Sequence, residues 1–342
     1  MTVKVGVAGY GVIGQRLADG VALQGDMTLV GVADVAPTLA VRALKERGMP
    51  YRLFAAGGPD ARKKLEESGI KVSGSFEDLV GEVDIMLDSS PGGVGALNKE
   101  IYQKMGKKAV FQGGEKDSVA DVFFHGYANY EKGLGANFLK LTSCNTTGLI
   151  RAVDHLDREV GVEKVAITII RRVADPGDYH RGLTNALQVD KAPSHQAEDL
   201  MTVMPHVPAT GILVHTPVTH GHIITILATP KKDVTTDRAI ELFRAHPRVR
   251  VVSLAEGFLG NASLFRYARD LGNPRVDMYE IALWTDTVVK SGRDIMFAIN
   301  IPQEAVTIPE TVDAVRAALK MQPDRLSATG ATNGFLGLGK WS

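Results

Sequence analysis

Apolar and polar positions alternate along this chain in two textures. Over roughly the first third, short apolar runs are separated by amphipathic stretches. Residues 3–8 (VKVGVA) read as a buried strand and Gly9-Tyr10-Gly11 as a turn. In 12–23, Ile13, Leu17, Ala18 and Val21 recur at helical spacing. Residues 27–33 form a second strand pattern ending at Asp34, and 38–47 and 59–68 read as helices. A strand at 83–87 runs into Ser89-Ser90-Pro91-Gly92-Gly93; a helix at 97–106 and a strand at 108–112 ending in Gly113-Gly114 follow. Strands alternating with helices predict right-handed crossovers and a mostly parallel α/β sheet, covered on both faces.

The texture changes after Cys144. A helix is predicted over 148–159. Longer runs rich in β-branched residues follow at 165–172, 212–218, 223–227, 249–252, 278–285 and 294–300, with few helical stretches, notably 235–246. This predicts a second, α+β domain with a mixed or antiparallel sheet. A last helix opens with Thr307 and Glu310 at capping-box spacing and places Val312, Val315 and Leu319 on one face. It is expected to return to the first domain. The tail 330–339 is punctuated by glycine without reading as disordered.

Composition excludes several classes. A length of 342 residues allows two domains with cores of their own. Thirty-nine basic residues balance thirty-nine acidic ones, so no electrostatic footprint for nucleic acid or an anionic membrane is expected. No apolar run approaches the roughly 20 residues that span a bilayer. The first residues enter a strand and glycine turn directly, so a signal peptide is not expected. The single cysteine cannot form an internal disulfide, which predicts a free thiol and a cytoplasmic setting.

Gly9-x-Gly11-x-x-Gly14 lies between a strand and a helix, as the first βα turn of the chain. Glycines there permit a tight turn, close approach of a pyrophosphate and close helix–strand packing, and the helix N-terminus offers free N–H groups. Asp34 follows at the end of the second strand, where a carboxylate accepts ribose hydroxyls and repels a 2′-phosphate. The motif predicts a Rossmann-type dinucleotide-binding domain that prefers NAD; Arg42 or Lys45 nearby leaves NADP open. The expected division is 1–143 with 304–342 for this domain and 144–303 for a catalytic domain. Gly113 and Gly114 end another strand, where they serve either backbone approach to the cofactor or an ordinary turn.

Cys144 sits in Thr142-Ser143-Cys144-Asn145-Thr146-Thr147-Gly148, between a strand and a helix. A helix N-terminus stabilises a thiolate, which suits a nucleophile. A lone cysteine is otherwise a small buried hydrophobe, but polar neighbours argue against that. The base that accepts the thiol proton is most simply a histidine. His220 and His222, two apart on a strand-like stretch, share one face; spacing alone does not choose between them, and either can be a surface histidine. No third ligand lies at a convincing spacing, so no metal site is expected. Arg171 and Arg172 end an apolar strand, which implies an anionic partner. That partner is either a phosphate group or a carboxylate such as Asp175.

These segments together resemble the archaeal-type (type II) phosphorylating glyceraldehyde-3-phosphate dehydrogenases. The stretches that carry the resemblance are GYGVIGQR (9–16), FQGGEK (111–116), SCNTTGL (143–149), RRVADP (171–176), Pro-Ser-His (193–195), GNPRVDMYE (272–280) and QEAVTIPETVDAVRA (303–317). The resemblance runs from the N-terminus to 333–337. It implies oxidation of D-glyceraldehyde 3-phosphate with inorganic phosphate to 1,3-bisphosphoglycerate, through a thiohemiacetal and thioester on Cys144, in glycolysis or gluconeogenesis. It implies His222 as the catalytic histidine, following Pro217-Val218-Thr219 at the family's distance. Ser143, Asn145 and His195 would contact the triose phosphate, with Thr146 and Arg171 in phosphate recognition. Val12, Ile13, Gly114, Arg172 and Gln303 would contact the cofactor; Arg171 and Arg172 can exchange roles. A homotetramer is implied as well. Two departures stand out. Asp34-Val35-Ala36 replaces the basic residues common after the second strand, and Gln196 stands where a second histidine is usual. The remaining alternatives are a semialdehyde or acyl-phosphate reductase on the same fold, and a non-catalytic NAD-binding protein with an inert Cys144.

Overall fold

A computed structural model describes residues 2–112, 114–172 and 187–339. Gly113, residues 173–176 of the RRVADP stretch, and Asp175 as a partner for the arginines lie outside the described residues. The chain forms two compact units, Met1–Thr142 with Ile308–Leu336, and Ser143–Thr307 with Gly337–Ser342.

The first unit runs β1 (Val3–Ala8), α1 (Val12–Ala22), β2 (Met27–Asp34), α2 (Leu39–Glu46), β3 (Leu53–Ala55), α3 (Gly58–Glu67), α4 (Phe76–Glu82), β4 (Ile85–Asp88), α5 (Val94–Lys104), β5 (Lys108–Phe111), β6 (Val122–Phe124) and β7 (Phe138–Leu141). Its seven strands are all parallel, in the order β3-β2-β1-β4-β5-β7-β6. Strand β1 therefore lies between β2 and β4, at the point where the order reverses. The loops after β1 and β4 open at the carboxyl ends of the strands, where such sheets bind ligands. Strands buried on both faces explain the near-continuous apolar runs: Val5, Val7, Val32, Ile85, Leu87 and Val110 are fully buried.

The second unit runs α6 (Cys144–Val160), β8 (Val162–Arg172), β9 (Gln188–Val189), α7 (His195–Val203), β10 (Ala209–Thr216), β11 (His222–Pro230), α8 (Thr236–Ala245), β12 (Val249–Val252), α9 (Asn261–Asp270), β13 (Ile281–Trp284), β14 (Val289–Ser291) and β15 (Asp294–Ile301). Its sheet is mixed, in the order β12-β13-β15-β11-β8-β10-β9 with β14 on β15. Strand β11 pairs antiparallel with both β8 and β15, and β10 runs parallel to β8. One sheet face meets α6. The cluster of Val252, Leu264, Met278 and Trp284 gathers on the other, with Ile223 packed against it. The α/β sheet followed by a mixed sheet is the expected fold class.

Two helices complete the first unit, α10 (Ile308–Ala318) and α11 (Arg325–Leu336). Helix α10 packs on α1, β5 and β7 and is buried on every side. Helix α11 occupies the tail whose glycines gave no helical reading. Tertiary bonds override propensity there. Thr332 Oγ1 donates to Asp313 (2.6 Å), Asn333 donates to the Tyr127 hydroxyl (3.0 Å), and the buried Arg316 holds both Thr332 and Asp26. A second difference is at 278–285, where only Ile281–Trp284 is strand. The chain before it turns through Arg275 and Val276 at positive φ, a local geometry that β-branched composition does not report.

Candidate active site

The glycine turn of the first unit is built for close approach. Gly9 has φ +78°, and its N–H donates to Ala33. A Cβ on Gly14 would fall on the Gly9 carbonyl oxygen, so only glycine lets α1 start this close to β1. A Cβ on Gly11, by contrast, would meet nothing. Space is open above the N-terminus of α1, whose first N–H groups have no side-chain cap. Val12 is exposed there and Ile13 half-buried. Asp34 ends β2 beside this turn. It is buried, and its carboxylate accepts N–H bonds from Tyr10 (3.0 Å), Val35 (2.7 Å) and Ala36 (3.3 Å). Burial raises its pKa, with these three bonds pulling the other way. Oδ1 takes the Val35 and Ala36 bonds, and Oδ2, which accepts from Tyr10, still has lone-pair capacity for a ribose hydroxyl. Gly114 lines a cavity of about 490 Å³ with Gly92, Gly93 and Lys99, at the ends of β4 and β5. An open glycine cradle, an uncapped helix N-terminus and a strand-end carboxylate fit a dinucleotide.

In the second unit Cys144 is the first residue of α6. Ser143 is the N-cap, and its Oγ accepts from Thr146 N. The helix is 17 residues long, and the positive end of its dipole lies at the thiol. The Cys144 thiol is half-buried, and its Sγ lies 3.7 Å from His222 Nε2. His222 is the first residue of β11 and 1% exposed. Its Nδ1 accepts the backbone N–H of Arg172 at 3.1 Å. Burial, then the guanidinium groups of Arg172 and Arg171, push its pKa down to about 3. His220 turns away instead. Its ring packs edge-on against Phe265 (4.6 Å), and Nδ1 meets Thr219 Oγ1 (3.0 Å). Of the two histidines that spacing left open, His222 is the one brought to the thiol. The reason is the strand start: the turn at Gly221 (φ +65°) puts the ladder's first side chain on the α6 face.

A pH dependence follows from this burial. The unfolded chain binds a proton on His222 near pH 6.5 and the folded chain only near 3, so stability falls as pH drops through that window. The contribution is of the order of 4 kcal/mol. Urea unfolding between pH 7 and pH 4 should therefore show a smaller loss in His222→Gln than in the parent. Equal losses would mean that the ring is not buried neutral.

The two arginines have separate fates. Arg172 is buried, and its guanidinium donates to the Thr219 carbonyl (2.7 Å) and to Glu304 (3.2 Å). The partner is thus a carboxylate supplied from the segment after β15. Arg171 is half-buried and close enough to both His222 and His195 to lower the pKa of each. His195 opens α7, with Gln196 Nε2 at 2.7 Å from its Nε2. Gln196 is 1% exposed, and its Oε1 has no partner among the described residues. The same holds for Oδ1 of Asn145, beside Cys144. Buried polar atoms left unmatched at two expected substrate contacts fit a site completed by its ligand. Gln303 and Arg172, expected at the cofactor, line one cavity of about 460 Å³ with His220, Phe265, Asn300 and Glu304.

Sequence reasoning missed Asp199. It lies one helical turn after His195 on α7 and accepts from Thr146 Oγ1 at 2.9 Å, while Thr146 Oγ1 in turn lies 2.9 Å from Ser143 Oγ. The hydroxyl of Thr146 is thereby aimed at a carboxylate. With its hydroxyl hydrogen on Asp199, Thr146 has none left to donate to an anion. An i, i+4 reading of His195 and Asp199 would have found it had α7 been expected. Glu304 was missed as well, and its pairing across the sheet leaves no local signal.

A family model described as the glyceraldehyde 3-phosphate dehydrogenase C-terminal domain matches residues 143–271. A glyceraldehyde-3-phosphate dehydrogenase of Methanosarcina mazei is 37% identical over 337 residues, covering 98% of this chain and 99% of the relative. That of Metallosphaera sedula is 38% identical over 340 residues, covering 99% and 98%. Among solved structures, aspartate semialdehyde dehydrogenase II from Vibrio cholerae superimposes with a TM-score of 0.62 at 14% identity, over 93% of this chain and 98% of that one. That likeness extends to the fold alone. With its strand-end cysteine motif, its histidine at the thiol and relatives matched over nearly their whole length, the chain belongs to the archaeal-type glyceraldehyde-3-phosphate dehydrogenases.

Proposed function

We propose that the chain oxidises D-glyceraldehyde 3-phosphate in the presence of inorganic phosphate to 1,3-bisphosphoglycerate, with Cys144 as nucleophile and NAD as preferred cofactor. The observation that carries this reading is the 3.7 Å approach of His222 Nε2 to Cys144 Sγ at the start of α6. The N-terminus of α6 stabilises the thiolate. The thiolate attacks the aldehyde carbon, and the carbonyl electron pair moves onto oxygen. Two groups can stabilise that charge, the Cys144 backbone N–H and His222. The triose phosphate is held by Arg171 and His195, with Ser143 and Asn145 lining its path; Gln196 orients His195. When bound, the nicotinamide dinucleotide supplies the hydride acceptor that lets the Cys144 adduct become a thioester. Gly9, Gly11, Val12, Ile13, Gly14, Asp34 and Gly114 would hold it, with Gln303 as a further contact. Arg172 acts through its pairing with Glu304 as a strut under the site. Inorganic phosphate then displaces Cys144 from the thioester. The working form is read as a homotetramer in a cytoplasmic setting.

Two measurements test this reading. Without inorganic phosphate, mixing enzyme, NAD and glyceraldehyde 3-phosphate should give a burst of NADH near one per Cys144. Intact mass should show an acyl adduct that added phosphate removes. No adduct on Cys144 would refute the thioester. Asp34→Ser should shift the ratio of kcat/KM for NAD over NADP toward NADP by at least about tenfold, because a 2′-phosphate no longer meets a carboxylate. An unchanged ratio would leave Asp34 only its role of tying down the turn through Tyr10, Val35 and Ala36.

A further inference from the structure

We infer that Ser143, Thr146 and Asp199 form a proton relay for the second half of the reaction, in which Asp199 takes up the proton of inorganic phosphate as that phosphate attacks the Cys144 thioester. The relay rests on the proposed thioester at Cys144 and concerns where the phosphate proton goes when that thioester is broken.

Counting hydrogens fixes the direction of the chain. Thr146 Oγ1 donates to Asp199 Oδ2 at 2.9 Å, and a carboxylate can only accept. Thr146 has a single hydroxyl hydrogen. Toward Ser143 Oγ, also 2.9 Å away, its oxygen must therefore accept. The Ser143 hydrogen is thus spent on Thr146. Ser143 Oγ in turn accepts the Thr146 backbone N–H at 3.3 Å. One lone pair is left on Ser143, next in sequence to the reacting thiol. Ser143 can receive a hydrogen and has none to give. The monohydrogen phosphate dianion offers such a hydrogen on its P–OH group.

Two helices set up this line. The N-cap bond at the start of α6 holds the Ser143 and Thr146 hydroxyls side by side, and α7 packs against α6 with Asp199 at Thr146. Thr146 is fully buried, while Ser143 and Asp199 at the two ends are half-buried. A dry middle with two accessible ends lets a proton pass from the site to solvent. The charged and titratable groups around this end of α7 are His195 and Glu198 on the helix itself, Arg171 from β8, Asp190 after β9 and Cys144 on α6. Arg171 and the N-terminus of α6 offset the repulsion between the Asp199 carboxylate and an incoming anion.

The step balances. An oxygen of the phosphate dianion bonds to the thioester carbon, and the C–S bond breaks with its electron pair leaving on Cys144 Sγ. The P–OH proton passes to Ser143 Oγ, the Ser143 proton to Thr146 Oγ1, and the Thr146 proton to Asp199 Oδ2. The acyl phosphate leaves as a dianion, and Asp199 returns its proton to solvent. Removing the proton during attack keeps the phosphate oxygen electron-rich, which is the work of a general base. Ser143 is the group that touches phosphate; Asp199 acts through Thr146 and Ser143.

Rapid-quench mass spectrometry separates the two halves of the reaction. Acyl-enzyme is formed from NAD and glyceraldehyde 3-phosphate without inorganic phosphate while NADH is followed. Loss of the adduct is then timed after phosphate is added. Asp199→Asn can still accept from the Thr146 hydroxyl but is not a base. Its NADH burst should keep a rate within about threefold of the parent, while adduct loss at saturating phosphate slows by about a hundredfold. Thr146→Val interrupts the chain and should show the same split. Thr146→Ser restores a hydroxyl and should recover adduct loss to within about fivefold of the parent. Equal slowing of both halves in Asp199→Asn would make Asp199 a packing residue and overturn the relay. Adduct loss in that variant within about threefold of the parent would overturn it too, with the thioester left standing. A parent that forms no adduct would refute the thioester and the relay with it.

Discussion

Replacing Cys144 with serine is expected to reduce NADH formation from glyceraldehyde 3-phosphate by about four orders of magnitude or more, while NAD binding stays within about twofold. A serine hydroxyl at the start of α6 is isosteric and keeps the Ser143 and Thr146 hydrogen bonds. It remains protonated, however, because a helix N-terminus cannot bring an alcohol into the range where an alkoxide forms. The loss therefore falls on the chemical step and leaves the glycine turn of the first unit untouched. Steady-state kinetics with fluorescence titration of NAD checks both halves. A Cys144→Ser protein that turned over within tenfold of the parent would remove the thioester from the mechanism.

Gly14→Ala is expected to act at the other end of the reaction. The new Cβ would land on the carbonyl oxygen of Gly9, a backbone atom that cannot move without shifting β1 or α1. Gly9 is itself constrained, because its N–H bonds Ala33 and its carbonyl accepts from Ser89 Oγ at 2.8 Å. Overpacking against fixed backbone costs about 2 kcal/mol or more. The displaced α1 would also turn its free N–H groups away from a pyrophosphate. NAD affinity should weaken by well over tenfold, and thermal unfolding should begin earlier. Gly11→Ala provides the contrast. Its Cβ meets no protein atom, so stability should be retained and only dinucleotide affinity should fall. Equal behaviour of the two variants would show that the turn is not shaped as the two glycines indicate.

The parts of this molecule that were legible in its sequence are those where one local rule dominates. Strand β1, the Gly9–Gly14 turn and Asp34 at the end of β2 follow from apolar runs, glycine spacing and a chain distance. Cys144 announced itself through small polar neighbours at a strand–helix junction, and α6 starts four residues ahead of the 148 that apolar spacing gave, because Ser143 caps it. Contacts that join distant segments were not legible. Spacing could not choose between His220 and His222, since both lie on one face of an isolated strand. The choice is made by Gly221, by the end of β11 and by Phe265 on α9, which holds the His220 ring. Arg172 next to Arg171 implied an anion but not which one, and Glu304 lies 132 residues away. Asp199 needed a helix that apolar periodicity did not suggest. Helix α11 forms in a glycine-punctuated tail through side-chain bonds to Asp313, Arg316 and Tyr127.

The buried unmatched oxygens of Asn145 and Gln196 connect this pattern to function. They are two of several buried side-chain atoms without a partner among the described residues, and these two belong to residues beside expected reacting or phosphate-binding groups. A ligand hydroxyl or a protonated phosphate oxygen can supply the missing donor. Gln196 is an uncharged amide beside His195, so in the proposed reading this end of the site carries one less titratable group than a histidine there would give. Its affinity for the triose phosphate should accordingly vary less between pH 6 and pH 8.

The most direct test is steady-state reduction of NAD by glyceraldehyde 3-phosphate with and without inorganic phosphate, the parent protein measured beside Cys144→Ser. Acyl transfer from Cys144 to phosphate predicts turnover that requires inorganic phosphate, saturates with it and vanishes in the serine variant. Turnover at the same rate without phosphate, or none with it, would contradict a phosphorylating dehydrogenase built on this thiol.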